Sequence, residues 1–205
     1  MTGKFDSYMA LQFIKDSMMA GDIWIVSDTH FNHTNIIRYC NRPYPGVWEM
    51  NEALIENWNS VVKEQDKVYH LGDVYFSKHW KSKTGAEHDI PKDQRTIEAD
   101  GLLSRLNGKK RLLLGNHDDG KDKLLLKHFQ KIGVWRQFTE FGLLLTHVPV
   151  NPYCFDEGKT GEQRKYNCNV HGHVHQNSLR DKRYVNVSVE VTGYTPINIE
   201  ELRTK

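Results

Sequence analysis

Five short motifs rich in carboxylates, amides and imidazoles are spread along this chain in order. Their side chains offer oxygen and nitrogen ligands without a thiolate, a set that suits Mn, Fe, Ni or Zn better than Mg or Ca alone. Two such ions held close together lower the pKa of a shared water and clamp a phosphoryl group for attack. Together, the motifs predict a two-metal hydrolase. They occupy residues 27–30, 71–73, 115–118, 146–147 and 172–175.

Each motif follows a short apolar stretch with β propensity, beginning with residues 23–26. Side chains at the carboxyl ends of neighbouring strands converge on one edge of a sheet, where α/β folds place their sites. Between the first two stretches, residues 47–61 repeat apolar side chains at helical spacing. We therefore expect a strand-helix-strand unit with parallel pairing. Asp28 and His30 lie two residues apart, and an extended backbone would point both toward one ion.

The remaining pattern predicts further helices and a run of short strands. Helices are expected over 96–106, before Asn107-Gly108, and over 122–132, before Gly133. An amphipathic helix over 6–20 is expected to pack on the sheet, and partner binding is the alternative. The short strands are predicted at 135–139, 143–146, 168–171, 184–189 and 197–199.

The motifs resemble, in order and residue type, those of the calcineurin-like metallophosphoesterase superfamily. That pattern runs Asp-x-His, Gly-Asp, Gly-Asn-His-Asp/Glu, His and Gly-His-x-His, and every part is present between Ile23 and Ile199. Residues 27–39 are also similar to a small subgroup found in bacteria and their phages. The resemblance implies a four-layer α/β/β/α sandwich with mixed sheets and a dinuclear metal site at the strand carboxyl ends.

The resemblance also implies which side chains hold two divalent transition metal ions, of which Mn is favoured and Fe, Ni or Zn are alternatives. Asp73 would bridge both ions. The first ion would be held with Asp28, His30 and His175, and the second with Asn116, His147 and His173.

Catalysis is expected to use a metal-bridging hydroxide as the nucleophile, with no protein nucleophile. By analogy with the family, His117 would donate to a phosphate oxygen or protonate the leaving group. Asp118, next to it, would orient that imidazole and keep it protonated. Three other histidines, His33, His70 and His171, could contact substrate or support the ligands from behind.

Composition limits the class of protein. A chain of 205 residues with 38% hydrophobic residues suits one domain, taken as 1–205 with the extra amino-terminal helix. A net charge of +2 does not by itself indicate nucleic-acid binding. Three cysteines at no zinc-like spacing fit a reducing cytoplasm, that of the host if a phage encodes the protein. No apolar run approaches the ~20 residues of a membrane span, so no membrane partner is expected, and oligomeric state is left open.

Two long polar stretches, 77–94 and 149–167, follow metal motifs and mix basic with aromatic residues such as Trp80 and Tyr153. They could bind a nucleotide over the site, or they could be solvated loops. Near the end of the chain, Asn186 and Ser188 share the polar face of a predicted strand. Surface hydrogen bonding is the favoured interpretation for them, and an approach to the site is the alternative.

The predicted function is a phosphodiesterase for small nucleotides or cyclic nucleotides, with 2′,3′-cyclic nucleotides favoured. The size of the chain leaves no separate domain to grip a protein or a long duplex. A nuclease for single-stranded DNA or RNA is the first alternative. A metal-bound interaction module with incidental hydrolysis is the second.

Overall fold

The computed structural model describes residues 21–76, 92–155 and 166–203. They form an α/β fold with two mixed sheets. The helices are α1 (Thr34–Tyr39), α2 (Val47–Val61), α3 (Lys92–Ser104) and α4 (Lys123–His128), with 3₁₀ helices at Pro152–Cys154 and Ile199–Leu202. The strands are β1 (Ile23–Val26), β2 (Lys67–His70), β3 (Lys109–Leu113), β4 (Lys131–Gly133), β5 (Trp135–Phe138), β6 (Leu143–Thr146), β7 (Cys168–His171), β8 (Tyr184–Asn186) and β9 (Ile197–Asn198).

The first sheet has the strand order β4-β3-β2-β1-β9. Strands β1 to β4 are parallel, and β9 runs antiparallel beside β1. In the register of the sheet, Val26 is opposite His70, and His70 is opposite Leu112. The residues that follow these three strands therefore emerge at the same edge, which confirms the predicted convergence of the first three motifs.

The second sheet has the order β5-β6-β7-β8, with β5 antiparallel and the other strands parallel. Its strands β6 and β7 lead into the fourth and fifth motifs. An isolated parallel bridge between Ser27 and Ser188 connects the end of β1 to the chain just after β8. The bridge brings the site edges of the two sheets together.

Two apolar cores hold these layers. Helices α2, α3 and α4 pack on one face of the first sheet through side chains such as Met50, Trp58, Leu103 and Leu125. The second core contains residues of both sheets, among them Ile25, Leu71, Leu113, Leu145 and Val170. A helical layer and two sheets are thus present. On the second-sheet side, the described ranges contain the 3₁₀ helix Pro152–Cys154, after which Phe155 packs against Tyr184 of β8.

The structure differs from the predicted elements in several places. Helix α2 and strands β6 and β7 match their predicted bounds, whereas α1 was not predicted. The helix expected over 122–132 ends at His128. Residues 131–133 form β4 instead, because the Gln130 N–H donates to the Lys110 carbonyl and the Leu114 N–H donates to the Gly133 carbonyl. Those bonds draw the chain into the sheet as an edge strand.

Other predicted elements are shorter, displaced or outside the described ranges. The strand expected over 184–189 ends at Asn186, and α3 begins at Lys92, four residues before its predicted start at Thr96. The helix expected over 6–20 and most of the 77–94 stretch lie outside the described residues. In the part of the chain that is described, no helix is both long and apolar enough to cross a bilayer.

Candidate metal centre

The backbone of the expected ligands has an uncommon conformation. Asp28, His30, Asp73, His173 and His175 have φ values of 60°, 50°, 56°, 70° and 51°. Residues other than glycine rarely adopt this left-handed backbone conformation, and those that do cluster at functional sites. The extended backbone expected around Asp28 and His30 is therefore wrong, because left-handed turns aim these side chains instead.

Hydrogen bonds between the loops hold these turns. The Asp28 N–H donates to the Gly72 carbonyl, and the His30 N–H donates to the Asp73 carbonyl, each at 3.0 Å. Gly72 has a φ of +100°, and a side chain there would collide with the backbone of Gly115. A side chain on Gly115 would in turn collide with Asp73. The loop after β2 and the loop after β3 can therefore approach this closely only with glycine at positions 72 and 115.

Asp28, His30 and His175 bring one ligand atom each to within 4.8 Å of one another. Asp28 Oδ2 accepts from the His173 N–H and from the Ser188 hydroxyl, each at 2.9 Å. Asp28 Oδ1 and His30 Nε2 are buried and have no hydrogen-bond partner. Burial, reinforced by the charge of Arg42, holds the pKa of His30 well below its ordinary value, so the ring is neutral and can offer a lone pair.

A second group of ligand atoms lies beside the first. His147 Nδ1 is 2.7 Å from the Leu71 carbonyl oxygen, which can only accept, so Nδ1 carries a proton and Nε2 is the nitrogen that faces the other ligand atoms. That Nε2 lies 2.9 Å from Asn116 Oδ1 and 3.2 Å from His173 Nδ1. His173 Nδ1 is 2.8 Å from the same Asn116 oxygen. Ligands about 2.1 Å from a metal on adjacent octahedral positions are about 3 Å apart, a spacing similar to that of this trio.

Asp73 lies between the two groups. Its Oδ2 is 3.5 Å from His30 Nε2 and 3.6 Å from His147 Nε2. Burial raises the pKa of Asp73, although the charge of His147 acts against that rise. Bound cations would compensate for the cost of burying this carboxylate. The two buried unpartnered atoms, the close trio and the nitrogen and oxygen donors all fit a pair of divalent ions.

A comparison with protein families accounts for this arrangement. The model for calcineurin-like phosphoesterases matches residues 21–193. The chain belongs to the calcineurin-like phosphoesterase family. It is accordingly a phosphoester hydrolase of a family that typically binds divalent metals.

The chain is also similar to three other proteins. An uncharacterized protein of Methanocaldococcus jannaschii is 37% identical over 186 residues, which is 87% of each chain. The gene 66 protein of Mycobacterium phage L5 is 36% identical over 95 residues, 46% of this chain and 39% of the phage protein. The crystal structure of a protein of unknown function from Aquifex aeolicus has a TM-score of 0.63 and 26% identity, with 89% of this chain and 97% of that chain covered.

His117 of this phosphoesterase stands beside the expected metal ligands and faces solvent. Its side chain is 40% exposed, and its Nε2 lies 4.0 Å from Asp73 Oδ2. The backbone N–H of His117 donates to the other Asp73 oxygen at 3.0 Å. The imidazole therefore has room to meet a substrate at the edge of the metal centre.

Asp118 has different partners from those expected. Its Oδ2 accepts from the backbone N–H groups of Asp73 and Gly115, each at 2.8 Å, and its Oδ1 accepts from that of Val74 at 3.1 Å. No hydrogen bond between Asp118 and the His117 ring exists within the described ranges, so the orienting role predicted for Asp118 needs correction. The carboxylate instead ties the loop after β2 to the loop after β3.

The three further histidines differ in their surroundings. His70 is fully buried, accepts from the Gly72 N–H at 3.1 Å, and lies 2.9 Å from the Thr29 hydroxyl, so it supports the first loop from behind. Burial lowers the pKa of His70 to about 3. His171 Nδ1 donates to the Gly172 carbonyl at 2.9 Å, next to the last motif.

His33 lies between His30 and a cleft. Its Nδ1 lies 3.3 Å from His30 Nδ1, and its ring stacks on Phe76 with a centroid distance of 4.2 Å. Burial and, to a lesser degree, the charge of His117 lower the pKa of His33 to about 4. A neutral His33 therefore supports His30 on one side and lines a cleft on the other.

That cleft has a volume of about 410 Å³ and opens beside the first group of ligands. The histidines next to the expected metal positions form one wall of the cleft, and aromatic rings and amide side chains form the other walls. Besides His33, the lining residues that bear on function are His30, Asn35, Tyr39, Phe76, His117, His175, Gln176 and Asn177.

Sequence reasoning missed two charged residues and undervalued one serine. Arg42 and Glu190 form a buried ion pair beside His175. Ser188 is completely buried and donates to Asp28, so the approach to the site, the less favoured alternative for Ser188, is the correct one. The alternation of polar residues in 184–189 carried that signal. No local pattern indicated Arg42 or Glu190.

Proposed function

We propose that this phosphoesterase is a two-metal phosphodiesterase for small nucleotides, with 2′,3′-cyclic nucleotides favoured. The observation that carries the proposal is the 410 Å³ cleft that adjoins His30, His117 and His175. Pockets of a few hundred cubic ångströms suit small molecules, and the walls combine rings with hydrogen-bonding amides. A nucleotide fits these properties because its base can stack while its phosphate reaches the metal ligands.

The aromatic side chains of the cleft are arranged for stacking. Phe76 and His33 are nearly parallel, with an interplanar angle of 11°. Tyr39, 53% exposed, stands edge-on to His33 with ring centroids 6.4 Å apart. Stacking on such rings tolerates any base, whereas the amide side chains of Asn35, Gln176 and Asn177 would add hydrogen bonds to base or sugar edges.

The proposed ligands divide into two sets that share Asp73. Asp28, His30 and His175 would hold one ion, and Asn116, His147 and His173 would hold the other. When bound, the two ions would supply Lewis acidity and an activated water. Asp28 is oriented for this task by the hydroxyl of Ser188 and the N–H of His173.

His117 is the proposed acid for the leaving group. It lines the cleft where the alcohol part of a diester would lie, and it is the most solvent-accessible imidazole in contact distance of Asp73. With Asp118 engaged by backbone N–H groups, Asp73 and the substrate phosphate are the anionic groups that His117 would face. The ring would donate to the leaving oxygen as the ester bond breaks.

The test is hydrolysis by protein stripped of metal and then reloaded with Mn²⁺. The panel comprises 2′,3′-cyclic and 3′,5′-cyclic nucleotides, an aryl phosphodiester, a phosphomonoester and single-stranded oligonucleotides. The proposal predicts metal-restored cleavage of cyclic or small diesters while oligonucleotides stay intact. Preferred cleavage of oligonucleotides, with KM rising steeply with salt, would instead identify a nuclease.

If metal-loaded protein hydrolysed no compound of the panel, the interaction-module alternative would be favoured. An Asp73→Asn variant then separates catalysis from partner binding. Loss of the cellular role in this variant would support an enzyme whose substrate lies outside the panel. A cellular role that survives in Asp73→Asn would contradict the phosphodiesterase proposal.

A further inference from the structure

Arg42 and Glu190 form an ion pair that is withdrawn from water beside the first set of ligands. The Arg42 side chain is 0% exposed, and that of Glu190 is 3% exposed. Arg42 Nη2 and Nε donate to the same Glu190 oxygen at 2.7 and 3.0 Å. Burying two charges is costly, and replacing such pairs by apolar residues is often neutral or stabilising. Stability alone is therefore a weak reason for this pair.

The guanidinium of Arg42 also holds the first metal motif by its backbone. Nη2 donates to the Asp28 carbonyl at 2.7 Å, and Nη1 donates to the Thr29 carbonyl at 2.9 Å. These carbonyls belong to the turn in which Asp28 and His30 have positive φ values. The rigid fork of an arginine can hold such a turn in one geometry, and a lysine offers no equivalent.

Glu190 acts on the third ligand. His175 Nδ1 lies 3.0 Å from the Glu190 oxygen that Arg42 also contacts. Since a carboxylate can only accept, Nδ1 carries the proton and Nε2 is left to offer a lone pair. Metal-binding histidines are commonly oriented in this way by a carboxylate on the second nitrogen.

The accepting carboxylate is itself supported by the guanidinium. Burial would raise the pKa of Glu190, but the hydrogen bond from His175 and the charge of Arg42 lower it. Glu190 can therefore accept from the His175 ring and fix its orientation.

The contacts of the pair are unevenly distributed over the site. Arg42 touches the backbone at Asp28 and Thr29, and Glu190 touches His175. Within the described ranges, no hydrogen bond from either residue reaches Asn116, His147 or His173. We propose that the Arg42–Glu190 pair is a positioning device for the first metal position alone. This inference rests on the two-metal site of the proposed function.

The experiment titrates metal-free protein with Mn²⁺ and resolves the two sites by calorimetry and by the electron paramagnetic resonance of the coupled ion pair. In Glu190→Gln we expect the first site to weaken by about 10- to 100-fold, as for other groups that orient ligands, while the second site keeps wild-type affinity. The coupled signal should then give way to that of a single ion. The matched control is Glu52→Gln, which removes the bidentate partner of Arg105 at the surface.

A lone buried charge could unfold a single variant. The double variant Arg42→Leu/Glu190→Leu removes both charges and should fold, as its circular dichroism and melting temperature would verify. It should show the same selective loss of the first site. Equal weakening of both sites, or unchanged affinity at both in a folded variant, would overturn the inference. Wild-type protein that binds fewer than two ions would overturn the two-metal site itself, which is a distinguishable failure.

Discussion

His147 and Asn116 face each other with two atoms that both carry lone pairs. His147 Nε2 lies 2.9 Å from Asn116 Oδ1, while His147 Nδ1 is occupied by the Leu71 carbonyl. When Nδ1 alone carries a proton, neither atom has one to donate to the other. That arrangement is unfavourable without a cation and becomes favourable when a cation lies between the two atoms. The contact therefore fits a metal ion at this position.

Asn116→Ala should therefore affect the metal-loaded protein only. In the presence of a chelator we expect its melting temperature to be no lower than that of wild type, because the lost amide oxygen faced His147 Nε2 at 2.9 Å. Each ion at 100 times its dissociation constant stabilises the fold by about 2.7 kcal/mol, and the variant should lose this gain for the second ion. Thermal melts with chelator and with Mn²⁺ measure both effects. A variant that gains as much from Mn²⁺ as wild type would exclude Asn116 as a ligand.

His117→Asn should separate turnover from metal binding. Loss of a general acid typically costs 10²- to 10⁴-fold, so we expect kcat to fall by about that factor while two ions remain bound. Steady-state kinetics and metal analysis on the same preparation provide the measurement. His128→Asn is the control, because His128 of α4 pairs with Asp100 of α3, outside the metal motifs. Parallel loss of metal and activity in His117→Asn would make His117 a ligand instead of an acid.

Phe76→Ala tests the stacking wall of the cleft. Stacking on an aromatic ring is worth about 1–3 kcal/mol per base, so KM for a nucleotide should rise by roughly 10-fold or more. Hydrolysis of a methyl phosphodiester, which has no base, should change little. Tyr153→Ala is the matched control, since Tyr153 is 93% exposed. If Tyr153→Ala raised KM and Phe76→Ala did not, the substrate would be recognised by the 149–167 stretch.

His70 should make the fold sensitive to acid. Its pKa is about 3 in the folded protein and about 6.5 in an unfolded chain, so the folded state binds fewer protons between these values. The contribution of His70 to the free energy of unfolding is therefore fully present above pH 6.5. The free energy of unfolding falls as the pH drops from 6.5 toward 3, by up to about 1.4 kcal/mol per pH unit.

Urea unfolding of metal-free protein at pH 7, 6 and 5 measures this slope. His70→Gln keeps a donor for Thr29 and carries no titrating group, so its stability should decline less between pH 7 and 5 than that of wild type. Identical slopes in the two proteins would show that His70 does not carry the acid sensitivity.

The sequence was informative where function depends on residue type and local order. Ligand residues such as Asp73 and His147 follow apolar stretches, and parallel strands bring their carboxyl ends to one edge, so the convergence of the motifs could be predicted. The amphipathic pattern of 47–61 likewise predicted α2 because helix periodicity is a local property. Nothing beyond short-range spacing was needed for these inferences.

The remainder depends on contacts between distant parts of the chain. Arg42 and Glu190 are 148 residues apart, and their pairing has no local signal. The left-handed turns at Asp28 and His30 are imposed by hydrogen bonds from the loop that contains Gly72 and Asp73. Asp118 was predicted to orient His117 because the two residues are adjacent in sequence. In the structure, backbone N–H groups from two loops bind the Asp118 carboxylate instead.

The most direct test of the two-metal site is anomalous X-ray diffraction from crystals of the protein loaded with Mn²⁺. We predict two peaks about 3.5–4 Å apart on either side of the Asp73 carboxylate. One should lie among Asp28, His30 and His175, and the other among Asn116, His147 and His173. A single peak, or ions bound away from Asp73 in protein shown to contain metal, would contradict the dinuclear centre.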